Sequence, residues 1–86
     1  MTVRERITET LTVAFRPVSL EVVDESEKHK GHAGAREGGE THFRVRIVAP
    51  AFRGKTRVET HRMIHAALAG EIAAGVHALA IEAKAE

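Results

Sequence analysis

The sequence predicts an α+β fold in the order αββα(α)β, a three-stranded mixed sheet with its helices on one face. Three observations carry that expectation. Apolar residues near the start recur at helical spacing, and two later stretches, VSLEVVDE and ETHFRVRIVA, alternate apolar and polar side chains. A second helical stripe then separates these from another alternating stretch, HALAIEAK. Eighty-six residues, 43% hydrophobic and 29% charged, fit one globular domain spanning residues 1–86 with room for one core. With three Phe and neither Trp nor Tyr, that core must be mainly aliphatic.

Val3, Ile7, Leu11 and Phe15 recur every four residues, and Thr2 precedes Glu5 as a capping box requires, so the first element is an amphipathic helix. Pro17 ends it, because proline disfavours the helical conformation in the residue before it. In the first strand Val18, Leu20 and Val22 alternate against Ser19, Glu21 and Val23. A glycine-rich loop from Ser26 to Gly39 follows. In the second strand Phe43, Val45 and Ile47 face one way and His42, Arg44 and Arg46 the other. Paired antiparallel, the two strands let Glu21 and Glu25 meet Arg44 and Arg46 on a solvated face. Pro50 and Gly54 break the chain. Val58, Ile64, Leu68 and Ile72 then trace a helical stripe that Gly70 interrupts, giving one helix or two short ones. Gly75 is a candidate left-handed cap, and the third strand sets His77, Leu79 and Ile81 against Ala78, Ala80 and Glu82.

A strand, helical crossover and strand in one sheet normally run parallel, so strands two and three should begin at the same end. Strand two starts where the glycine-rich loop stops and strand three starts at His77. That places His77 beside the loop carrying His29 and His32. The stretch HKGHAGAREGGETHF holds three of the six histidines and four of the seven glycines.

Composition excludes several classes of function. Without cysteine there are no disulfides, thiolate nucleophiles or self-sufficient thiolate-bound clusters, so any metal would use imidazole, carboxylate or a partner's ligands. No run approaches the roughly 20 apolar residues of a membrane span, and MTVRERITET lacks a signal-peptide apolar region. A cytoplasmic location without membrane contact is therefore expected. A formal net charge of +1 gives no bulk attraction to nucleic acid, so any basic patch must be local.

The segments VVDES with a following His29, ETHFRVRIVAPAFRG, HRMIHAALAGEI and GVHALAI, which run in order from Leu20 to Ile81, resemble the BolA family. The resemblance implies a class II KH-like α+β fold without an active site. It also implies a monothiol glutaredoxin partner, with its glutathione, that shares a 2Fe–2S cluster with the chain; no cofactor is expected when the chain is isolated. Bacterial members of that family are DNA-binding transcriptional regulators tied to cell morphology and stress. The metal ligands carried over by position are His77 of GVHAL and His29, which follows DES, with His32 of HKGH as an alternative and His42 of ETHF as a further candidate. Where the family usually has RHR, this chain has Thr60, His61 and Arg62, one positive charge fewer on the helix proposed to touch DNA.

Two histidines cannot complete a 2Fe–2S cluster, so the remaining ligands would have to be borrowed thiolates. His61 and His65 stand four apart, a spacing by which two rings can grip one metal. Arg62 replaces the glutamate of the metalloprotease motif, and the pair shares the stripe of Val58, Leu68 and Ile72, which favours a partly buried structural role. GKT at Gly54–Thr56 resembles the end of a phosphate-binding loop, but Ala49 stands where that motif needs its first glycine. Arg53, Lys55, Arg57 and Arg62 surround the start of the main helix with Glu59 to oppose them, a modest nucleic-acid patch by this reading and a solvated helix face by the plainer one. No serine, histidine and carboxylate arrangement can be assembled from the spacing, so neither an enzyme nor a small-molecule substrate is expected.

Overall fold

The computed structural model describes residues 2–25, 42–76 and 78–85. Helix α1 spans Val3–Phe15 and opens on the expected capping box: Glu5 N–H donates to Thr2 Oγ1 at 3.1 Å and Thr2 N–H to Glu5 Oε1 at 3.1 Å. It stops at Arg16, which takes a left-handed φ of 47° while its N–H closes on Thr12 O at 3.0 Å, and Pro17 follows. Val3, Ile7 and Leu11 are buried, as their spacing predicts.

Strand β1 (Ser19–Asp24) pairs antiparallel with β2 (His42–Val48), and β2 pairs parallel with β3 (Ala78–Lys84), so β2 is central in the order β1-β2-β3. The mixed sheet thus has the predicted strand directions. Between β2 and β3 the chain makes a short 3-10 turn at Pro50–Phe52, then helices α2 (Arg57–Ala67) and α3 (Ala69–Ala74). The break between these helices falls at Leu68, two places before Gly70, where an added Cβ would meet nothing within 4 Å. Gly75 caps α3 at φ 134°, a conformation glycine takes without penalty.

The core lies between the helices and the inner face of the sheet. Phe43, Val45 and Ile47 of β2 meet Ile7 and Leu11 of α1 and Ile64 and Leu68 from the α2 region, all at most 2% exposed. Fully burying one such side chain stabilises by about 1.5–3 kcal/mol. Phe52 joins them from the 3-10 turn, its ring 5.1 Å from that of Phe15. Arg6 ties α1 to α3, its Nε 3.2 Å from each carboxylate oxygen of Glu71.

Three apolar assignments from the sequence are corrected. Val18, which the alternation points inward, is 59% exposed because β1 starts one residue later. On α2 the buried positions are Thr60 and Ile64, whereas Val58 is 57% exposed, and Ile72 on α3 is 37% exposed. Thr60 can face the core because its hydroxyl donates to the Arg57 carbonyl at 2.8 Å, leaving no unsatisfied polar group.

The outer face of the sheet carries an ion ladder. Arg44 Nε lies 3.1 Å from Glu25 Oε2 and Arg46 Nη1 2.9 Å from Glu21 Oε1, the two interactions the antiparallel pairing predicts. Glu82 of β3 joins both, its Oε2 3.2 Å from Arg44 Nη1 and 3.2 Å from Arg46 Nε. Hydrogen bonds from Arg46, then Arg44, hold the Glu82 carboxyl below its ordinary value of 4.5. Glu5 and Glu59 move in the same direction, each lowered chiefly by the backbone N–H of its capping threonine. A carboxylate whose folded-state pKa is depressed stabilises the fold above its unfolded value, and that contribution disappears as pH falls through the folded value. Thermal stability should therefore decline as pH drops below 4.5. Glu82→Gln should melt earlier than the parent chain at neutral pH and converge with it in acid; parallel curves of melting temperature against pH would contradict the ladder's role.

Candidate functional site

The sheet topology brings three chain positions to one end. Asp24, the last residue of β1, pairs with Phe43, and the next N–H, of Glu25, donates to the His42 carbonyl at 2.8 Å. His42, the first residue of β2, pairs in turn with Ala78, the first of β3. The described residues on either side of the stretch 26–41 therefore converge with those on either side of position 77. An antiparallel pair sets the end of β1 beside the start of β2, and a parallel pair sets the start of β3 there as well. The predicted ligands His29, His32 and His77 lie outside the described residues.

Two features set the entry to β3. The positive φ of Gly75 turns the chain, and Val76, 6% exposed, donates its N–H to the Glu71 carbonyl at 3.2 Å. His42 is half-buried in the outward row with Arg44 and Arg46. His65 of α2 borders a cleft of about 70 Å³ with Ile72, Val76, Ala78 and Leu79, which include both neighbours of position 77. Sequence spacing gave His61 and His65 a partly buried role; His61 is half-buried, but His65 is exposed. Among the described residues no group of three or more His, Cys, Asp or Glu gathers to hold a metal ion.

The second candidate region surrounds the start of α2. Arg53, Lys55, Arg57 and Arg62 are all exposed, and Gly54, at φ 74°, provides the turn between the first two. Glu59, the opposing carboxylate, accepts the Thr56 N–H at 2.8 Å, which with the Thr56 hydroxyl keeps its pKa down. The structure brings Arg53, Lys55 and Arg57 together at the helix start. Arg62 is five residues beyond Arg57, roughly 140° around the axis, so it shares the exposed face of Val58 and His65 instead. Among the described residues no helix is long and apolar enough to cross a membrane.

Two participants escaped the sequence reading. Glu82 was placed on the correct face, but its bridging of both arginines follows from the parallel register with β2, in which Arg46 pairs with Glu82. The proximity of His65 to the start of β3 comes from the turn at Leu68 and Gly75, which no local motif announces.

Comparison with known proteins gives one consistent result. A family model described as BolA-like protein matches residues 11–86. The DNA-binding transcriptional regulator BolA of Escherichia coli (strain K12) is 49% identical over 81 residues, covering 94% of this chain and 73% of that protein. SufE-like protein 1, chloroplastic/mitochondrial, of Arabidopsis thaliana is 49% identical over 83 residues, which are 92% of this chain but 22% of that relative. The solved structure of the BolA domain of SufE1 from Arabidopsis thaliana superposes with a TM-score of 0.87 at 48% identity, covering 95% of this chain and 90% of that one.

Proposed function

The chain belongs to the BolA-like family, and from that premise we propose that it is an accessory and regulatory protein that binds a monothiol glutaredoxin and shares a 2Fe–2S cluster with it. The observation that carries this reading is the convergence of Glu25, His42, Val76 and Ala78 at one end of the sheet, since these residues flank the segment with His29 and His32 on one side and His77 on the other. The donor chemistry fits a shared cluster. Imidazole is a competent iron ligand, and a chain without cysteine must leave the thiolate positions to the glutaredoxin and its glutathione. In this reading His77 and His29 ligate, with His32 as the alternative loop ligand. Imidazole in place of thiolate raises the cluster's reduction potential, which would set the shared complex apart from one held by thiolates alone.

Mixing the chain with cluster-loaded monothiol glutaredoxin and recording visible absorbance and circular dichroism tests the proposal. A changed spectrum that reverts to that of the glutaredoxin alone with His77→Ala is expected. A spectrum that the chain leaves untouched, or a change that His77→Ala does not alter, would overturn it.

A second reading, DNA-binding transcriptional regulation, is favoured by the exposed Arg53, Lys55 and Arg57 at the start of α2 and by the name of the Escherichia coli relative. Removing one cation that pairs with a phosphate should weaken binding across all sequences and flatten the dependence of log K on log salt by about 1. Lys55→Ala and Arg57→Ala should each do so in a fluorescence-anisotropy titration of a promoter fragment, while His77→Ala should not. Equal affinity for promoter and random DNA would remove this reading.

A further inference from the structure

Helix α2 carries His61 and His65 four residues apart, a spacing at which side chains are neighbours on one face. The two positions stand about 40° apart around the axis and one turn apart along it. Their backbone is fixed before any ligand arrives. The capping box of Thr56 and Glu59 secures the first turn, and Ile64 and Leu68, both at most 1% exposed, anchor the turns that carry the pair. His61 is half-buried and His65 exposed, so one position is steadied by packing and the other is open to an incoming ion. On one side His65 meets the cleft walled by Ile72, Val76 and Leu79, apolar surface that offers a bound ion no competing ligand. Arg62 stands about 100° from His61 and about 60° from His65, so an ion held between the two rings lies on the side of His65 away from that charge.

We propose that His61 and His65 form a two-imidazole chelate for a divalent transition-metal ion such as zinc, nickel or copper, with water filling the remaining positions. Imidazole suits all three ions, and two rings on one ordered helix bind as a unit, the second engaging at the effective concentration set by the first. Without a glutamate after His61 there is no general base for hydrolysis, so the site binds metal without cleaving peptides. The pair uses residues other than the proposed cluster ligands, and the proposal does not depend on that cluster.

Zinc chloride titrated into a chain carrying His29→Gln, His32→Gln and His77→Gln, followed by NMR of the imidazole rings, isolates the pair from the proposed cluster ligands. The His61 and His65 signals are expected to move together on one saturation curve. Adding His65→Gln, an exposed change that should leave the amide spectrum in place, is expected to weaken the His61 response by about tenfold or more. Restoring a ring one place on, with Ala66→His, should not rescue it, because five-residue spacing sets the rings about 140° apart. Rings that titrate independently, a His61 response that survives His65→Gln, or no response at either ring would overturn the proposal.

Discussion

Truncating Ile64 to alanine is expected to lower the unfolding free energy by about 2–5 kcal/mol, whereas Val58→Ala should change it by no more than about 0.5 kcal/mol. The two residues occupy the same helix and look interchangeable in the hydrophobic pattern. They differ in what surrounds them. Ile64 is 0% exposed within the core cluster, so removing its outer carbons forfeits transfer free energy and leaves a cavity among well-packed neighbours. Val58 is 57% exposed in the first turn of α2 and gives up little by losing two methyl groups. Urea denaturation of the parent and both variants, with the slope checked for constancy, reads the difference directly. Comparable midpoints for the two variants would mean that α2 packs through the face the sequence pattern suggested.

Phe43→Ala is expected to cost about 3–5 kcal/mol, a large share of the roughly 5–15 kcal/mol that holds a typical domain together. Phe43 is 2% exposed on the central strand and pairs with Asp24 on one side and Leu79 on the other. It is thus the apolar anchor of the sheet end where β1 stops and β2 and β3 begin. Its loss should loosen the pairing of His42 with Ala78, so fast amide exchange at that end should accompany the lower midpoint. Phe43→Leu keeps an apolar side chain in place and should lose less. If Phe43→Leu remains folded and still alters the spectrum of cluster-loaded glutaredoxin, packing at this end and ligation can be assessed separately.

Much of this fold is written in local patterns. The four-residue recurrence of Val3, Ile7 and Leu11, the Thr2–Glu5 box and the alternation of Phe43, Val45 and Ile47 each name their element and its buried side, because periodicity and burial are the same physical fact there. The parallel placement of β3 and the pairing of Arg44 and Arg46 with Glu25 and Glu21 also follow, since handedness rules leave few topologies for a strand, crossover and strand. What failed was the inference that an apolar residue marks the inner face. Thr60 is buried because its hydroxyl finds a carbonyl one turn back, and Val58 is exposed because it stands on the far side of the first turn. Such outcomes depend on hydrogen bonding and on where a helix starts, neither of which a hydrophobic stripe encodes. The same limit applies to the site. Local motifs singled out His61 and His65 by spacing, but the exposure of His65 and its place beside the entry to β3 are products of tertiary packing.

The central position of β2 bears on how the chain survives its own synthesis. Arg46 finds Glu21 of β1 across 25 positions but reaches Glu82 of β3 across 36, so one neighbour is made before β2 and the other well after it. At about 5–20 residues per second on the ribosome, β2 spends seconds with one edge bare and with Val45 and Ile47 only partly covered. A bare strand edge is a template for any other strand nearby. Until Ala78–Lys84 emerges, the nascent chain is at its most vulnerable to joining a neighbour's sheet in place of its own.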